Sequence, residues 1–208
     1  ICRSSFELLV LNSFSIIDHF DSIKKPIIAA IHGTALGGGL ELALGCHFRV
    51  SLSTARFGSP EVKLGIFPGA AGTQRLPRVI GLDRSLELIV LGEPIDARTA
   101  FEYGLIDKLV EGDLLEGAII FTRNVLNEKL AIQTSSEPRE GIGSPEDFQE
   151  VIQKYRDIAS KKMRGQESPH EAIESVIDGL KLPYDQAVKA DRKRFPRCKD
   201  SDQSRALR

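Results

Sequence analysis

The chain has 208 residues, enough for one ample core or for one domain with a small appendage. An apolar share of 41%, a charged share of 27% and a formal net charge of −1 are ordinary for a globular protein. They give no reason to expect nucleic acid or a membrane surface as the main partner.

In chain order, the first features are the thiols and the apolar start. Cys2, Cys46 and Cys198 are far apart, odd in number and form no C-x-x-C pair, which argues for reduced thiols in an intracellular compartment rather than a disulfide framework. The longest apolar run, "ELLVLNSFSII", is broken by Asn12, Ser13 and Ser15 and is too short to span a bilayer. From Phe6 to about Ile23 apolar residues recur at helical spacing. "IIAAIHG" after Pro26 reads as a strand buried on both faces and ended by Gly33, with a loop leading on to Gly37-Gly38-Gly39. "LELALGC" reads as a short buried helix and "HFRVSLS" as a strand, with another extended piece at Phe57-Gly58. Helices are expected over Gly72 to Ile80, over "LDRSLELIVLG" with Gly92 as the stop, and over "DARTAFEYG" between a capping Asp96 and Gly104. "LIDKLVE" is a strand, and Asp113 to about Lys129 an amphipathic helix.

This alternation argues for an α/β core with a largely parallel sheet. "QTSSEPREGIGSPED" is then a polar linker, and the remainder of the chain reads as helical only. Ser144-Pro145 and Ser168-Pro169 read as helix starts, each a capping serine with proline at the first helical position. A last helix begins at Pro183, and Pro196 is expected to interrupt it. The domain expectation is a core over 1–132, a linker over 133–143 and a helical region over 144–208.

Chemistry concentrates between Ile31 and Leu76. The triple glycine contains no G-x-x-x-x-G-K-[ST], and Gly37-x-Gly39 lacks the third glycine of a dinucleotide loop. It suits either a tight strand-to-helix turn or a set of backbone N–H groups presented, unobstructed, to an oxyanion. Glu41 lies among Leu40, Leu42, Ala43 and Leu44, and a carboxylate so placed is costly unless it is paired or functional; a favourable interaction with the helix N-terminus is the simpler account. Glu61, twenty residues on, follows Pro60 and taken alone reads as a helix-start acid. There is no G-x-S-x-G elbow. His32 and His47 adjoin apolar strand positions and read as core or hydrogen-bonded residues rather than catalysts. From Pro183 to Arg208 eight Lys/Arg face four Asp/Glu, first of all a solvated helix face, with contact to a phosphate group or a neighbouring domain as the second reading.

"IHGTALGGGLELALGCHFRVSLSTARFGSPEVKLGIFPGAAGTQRLPRVIG" resembles the signature of the crotonase (enoyl-CoA hydratase/isomerase) superfamily. The segments "DARTAFEYGLIDKLVE" and "SPHEAIESVIDGLKLPYDQAVKADRK" resemble the bifunctional members of fatty-acid β-oxidation, in which a hydratase/isomerase region precedes a 3-hydroxyacyl-CoA dehydrogenase. The resemblance implies a crotonase-type ββα spiral core, truncated at its N-terminus, followed by a helical region. It implies hydration of trans-2-enoyl-CoA with Δ3–Δ2-enoyl-CoA isomerisation as a second activity, and a peroxisomal setting, the mitochondrion being the alternative. Carried over by position, the catalytic acids fall on Glu41 and Glu61, the oxyanion-hole glycine on Gly38, and a water-positioning backbone N–H on Gly69. No metal and no redox cofactor are implied for this segment: CoA enters with the substrate, and NAD belongs to the dehydrogenase module expected in cis.

Two departures qualify the resemblance. The family's second oxyanion donor comes from an upstream "SAGADI"-type segment, and "ICRSSFELLVLNSF" stands where that region should be. The chain opens on Ile1 rather than Met and stops in "DSDQSRALR", so both ends read as cut. A catalytically impaired remnant that binds acyl-CoA or a partner is therefore the rival expectation, and a mitochondrial-type multienzyme hydratase module the second.

Overall fold

The computed structural model describes residues 16–138 and 142–208. The start of the helix expected from Phe6, the upstream segment and Cys2 lie outside the described residues; residues 16–20 are helical.

Two three-stranded sheets organise the core. One joins β1 (Ile28–Ile31), β3 (Phe48–Leu52) and β6 (Lys108–Val110), all parallel, with Ile28 opposite Phe48 and Val50 opposite Lys108. The other joins β2 (Thr34–Leu36), β4 (Arg56–Gly58) and β5 (Ile95–Asp96), with β2 and β4 parallel and β5 antiparallel. The chain gives one strand to each sheet, then a helix, then one strand to each sheet again, a ββα course. This is the α/β core followed by helices that the sequence implies. The loop expected after Gly33 contains β2, and β5 overlaps the expected cap at Asp96; strands of two or three residues are too short to display a period.

The helices are α1 (Gly38–Gly45), α2 (Gly72–Ile80), α3 (Leu82–Leu91), α4 (Ala97–Glu102), α5 (Leu114–Asn127), α6 (Gln149–Lys162), α7 (Ser168–Lys181), α8 (Tyr184–Lys199) and α9 (Asp202–Leu207). Caps obey the residue chemistry. Asp96 accepts from Thr99 N–H at 2.8 Å, and Asp113 from Glu116 N–H at 2.8 Å. Gly92 closes α3 at φ 64. Two expectations need correction. Ser168 does not cap α7: Glu167 precedes the helix, and the Ser168 hydroxyl instead donates to the Val62 carbonyl at 3.2 Å, tying α7 to the core. Nor does Pro196 interrupt α8, which runs on to Lys199; so near the helix end, proline's missing N–H removes little of the hydrogen-bond ladder.

One apolar cluster runs from Ala35 to Cys198 and takes in Leu40, Phe57, Leu86 and Ile89 together with Tyr155, Ile173 and Val176 of the helical region. Helices α6 to α8 thus pack onto the core. At the centre lies α2, every residue of it buried although Thr73, Gln74, Arg75 and Arg78 are polar. Most of these polar groups are satisfied from neighbouring elements, while Gln74 Oε1 and Arg75 Nε have no partner among the described residues. The Arg75 guanidinium donates to the two Asp21 carboxylate oxygens at 3.0 and 2.9 Å and to Ser135 Oγ at 2.8 Å. Ser135, part of the expected linker, is buried and donates in turn to the Leu44 carbonyl, so the linker's first half is strapped to α1.

Candidate active site

Gly37 makes the turn from β2 into α1. It adopts φ 54 and ψ −127, and its N–H donates to the Gly58 carbonyl at 3.0 Å. A Cβ here would combine strain with a contact of 3.1 Å to Glu61 Oε1. Gly38 and Gly39 differ from it: a Cβ on either would meet nothing within 4 Å, so both border open space. The first hydrogen bond of α1 runs from Glu41 N–H to the Gly37 carbonyl at 3.0 Å. The N–H groups of Gly38, Gly39 and Leu40 therefore precede the intrahelical ladder, at the positive end of the helix dipole.

Glu41 is 4% exposed. Its Oε1 accepts two backbone hydrogen bonds from the loop after Pro68, from Ala70 N–H at 2.7 Å and Gly72 N–H at 2.8 Å. That approach is possible because residue 72 is glycine: a Cβ there would sit 2.9 Å from both Glu41 Oε1 and Pro68 Cβ. Burial is the dominant influence on this carboxyl, and the two N–H donors only partly offset it. The negative charge of Asp191 pushes the same way as burial and Arg75 pushes against it, leaving the pKa at about 7.

Glu61 stands on a 3₁₀ turn, Pro60–Leu64, closed by Gly65 in the left-handed region at φ 68. It is buried, and neither carboxylate oxygen has a hydrogen-bond partner among the described residues. Burial first, and then the charge of Glu41, raise its pKa to about 8. Near neutral pH the pair therefore retains a proton.

The structure brings Gly37, Glu41 and Glu61 together at the β2–α1 turn, with Gly38 next in the chain. Gly69 lies in the Pro68 loop, where a Cβ would fall 2.7 Å from the Phe195 ring. Phe195 belongs to α8 and packs edge-on against Phe67 with ring centroids 5.7 Å apart. The two histidines separate. His47 is buried and its Nδ1 accepts from Ile27 N–H at 2.9 Å, whereas His32 is exposed, so the core reading fails for His32, which lies one residue past the end of β1.

Sequence reasoning missed the donors at Ala70 and Gly72, the Phe195 ring against Gly69 and the buried Asp191. The glycine of "GAAGT" is a signal that was present for Gly72. Asp191 carries none, being 150 residues from Glu41 on a helix that reads as solvated. Among the described residues no group of three His, Cys, Asp or Glu side chains is arranged to hold a metal ion, and no helix is long and apolar enough to cross a membrane.

Comparisons with known proteins bear on this geometry. A family model described as enoyl-CoA hydratase/isomerase matches residues 7–137. The peroxisomal bifunctional enzyme of Cavia porcellus is 40% identical over 200 residues, covering 92% of this chain and 26% of that protein. The fatty acid oxidation complex subunit alpha of Vibrio campbellii is 37% identical over 212 residues, 99% of this chain and 30% of that one. The chain spans about a quarter to a third of the length of these curated relatives. Among solved structures, an enoyl-CoA hydratase from Bacillus anthracis superposes with a TM-score of 0.57 at 30% identity, covering 92% of this chain and 70% of that one.

Proposed function

The chain belongs to the enoyl-CoA hydratase/isomerase family, and on that premise we propose that it adds water across the C2=C3 bond of a trans-2-enoyl-CoA. The observation that carries the reading is the unequal pair of buried carboxyls. Glu41 is held by two N–H donors, Glu61 has no partner among the described residues, and burial raises the pKa of both. Two carboxyls so arranged divide acid and base work over one water molecule.

Glu41, as carboxylate, takes a proton from water while the water oxygen bonds to C3. The electron pair of the C2=C3 bond moves toward the thioester carbonyl, and the enolate oxygen is stabilised by the Gly38 N–H at the start of α1. Glu61, in its acid form, delivers its proton to C2, and a proton passing from Glu41 to Glu61 restores the pair. Gly69, in the loop that pins Glu41, is the proposed backbone position beside the reacting water. The same site shifts a double bond from C3 to C2 if Glu61 moves a proton between C4 and C2, a path that adds no water.

In this reading residues 1–132 are the hydratase/isomerase core, 133–143 a linker and 144–208 a helical region leading toward a dehydrogenase module in cis, where NAD is used. CoA arrives as part of the substrate. The similarity to the peroxisomal bifunctional enzyme of Cavia porcellus supports a peroxisomal setting and a place in fatty-acid β-oxidation. The test is loss of the enoyl absorbance of crotonyl-CoA in the presence of the folded protein. Turnover that saturates with substrate supports the proposal, and its absence from a folded protein that binds crotonyl-CoA would favour an acyl-CoA-binding role instead.

A further inference from the structure

Asp191 of α8 is 1% exposed, and its hydrogen-bond partners are three neutral donors. Thr73 Oγ1 donates to Oδ2 at 2.7 Å, Gln74 Nε2 to the same oxygen at 3.0 Å, and Ser175 Oγ to Oδ1 at 2.5 Å. Gln74 Nε2 also donates to the Ser175 carbonyl at 2.8 Å, which closes the network between α2, α7 and α8. A buried carboxylate held by neutral donors is an unfavourable way to join three helices if packing is all that is required, since apolar side chains would do it at lower cost.

What the network grips is the first turn of α2. Immediately before it Ala71 sits in the left-handed region at φ 70 and ψ 17, a conformation that only its surroundings can hold in a residue with a Cβ. Gln74 N–H and Arg75 N–H donate to the Ala71 carbonyl at 3.0 and 2.8 Å, so the strained residue hangs directly from the turn that Asp191 clamps. On either side of Ala71 are the two N–H groups, of Ala70 and Gly72, that hold Glu41 Oε1.

We propose that Asp191 is a positioning residue for Glu41: through Thr73 and Gln74 it holds the strained Ala70-Ala71-Gly72 turn in the shape that aims two N–H groups at one oxygen of that carboxyl. The catalytic consequence rests on the role proposed for Glu41 in hydration, while the structural linkage stands without it. The helical region then supplies part of the support of the site, and Glu41 is faced by Asp191 from α8, Arg75 from α2 and Glu61 from the 3₁₀ turn.

The experiment compares Asp191→Asn and Asp191→Ala by amide hydrogen exchange without substrate and by crotonyl-CoA hydration. Asparagine can accept from Thr73 and Gln74 through its oxygen and donate to Ser175 through its amide, keeping the geometry without the charge. Alanine removes every bond. In Asp191→Ala the Ala70 and Gly72 amides are expected to exchange at least about ten-fold faster, beyond any change averaged over the other α2 amides, with kcat reduced about ten-fold or more and KM little altered. Asp191→Asn is expected to restore most of both. If Asp191→Ala does not fold, Thr73→Val, which removes one arm, replaces it with the same expectation. Unchanged protection of Ala70 and Gly72, or a loss spread evenly over the fold, would overturn the linkage. Faster exchange at those two amides with an unaltered kcat would instead count against the role given to Glu41.

Discussion

Replacing Glu61 by glutamine should stabilise the fold, and increasingly so as pH rises. Neither oxygen of this carboxyl has a partner among the described residues, and burial together with the Glu41 charge moves its pKa from 4.5 to about 8. Between pH 4.5 and about 8 the folded chain holds the proton more tightly than the unfolded one, so stability falls as pH rises through that window. Below it there is no penalty, and above it the penalty is complete. At ~1.4 kcal/mol per pH unit the full span corresponds to roughly 5 kcal/mol. Water penetration and relaxation around a buried charge reduce this, and about 2–3 kcal/mol is the expected effect. Glutamine keeps the shape, cannot ionise, and relieves Glu41 of a like charge. Urea denaturation of both proteins at pH 5 and pH 9 measures it. The glutamine variant should gain about 2–3 kcal/mol on the original protein between the two pH values. A difference that does not change with pH would show that Glu61 ionises freely in the fold, and the division of acid and base roles would lose its physical basis.

Gly38→Pro removes the proposed oxyanion donor and should lower kcat by about 10²–10³-fold, with Gly38→Ala, whose added Cβ meets open space, measured beside it as the folding control. A well-folded proline variant with unchanged kcat would rule the donor out. Arg75→Met should cost about 3 kcal/mol or more in urea denaturation, because it leaves Asp21 and Ser135 without the buried guanidinium that joins them. A loss under about 1 kcal/mol would mean that the Arg75 guanidinium contributes little net stability to the fold.

What was legible in the sequence was local. Glycines against an apolar helix and a carboxylate among leucines are short-range patterns that marked the β2–α1 turn and Glu41, while Glu61, which taken alone reads as a helix-start acid, was singled out by the family resemblance. The short strands β2 and β5 were not legible, because two or three residues show no period. Nor was the burial of α2, because the groups that meet Thr73, Gln74 and Arg75, at Asp21, Ser135 and Asp191, come from distant segments. Asp191 itself sits in a run of lysines and arginines that reads as solvated. Its role depends on a helix–helix contact that no local pattern encodes. Pro196 misled for a related reason, since its cost depends on how close it lies to the helix end.

The proposed division of labour between the two glutamates is tested most directly by the rates of hydration and of Δ3–Δ2 isomerisation in Glu41→Gln and Glu61→Gln, each checked for folding. Glu61→Gln is expected to lose about 10²-fold or more in both reactions, because that residue moves the proton in each. Glu41→Gln is expected to lose hydration on the same scale while isomerisation, which adds no water, falls far less. Hydration near the unsubstituted rate in either variant, or equal losses of both activities in Glu41→Gln, would contradict the assignment.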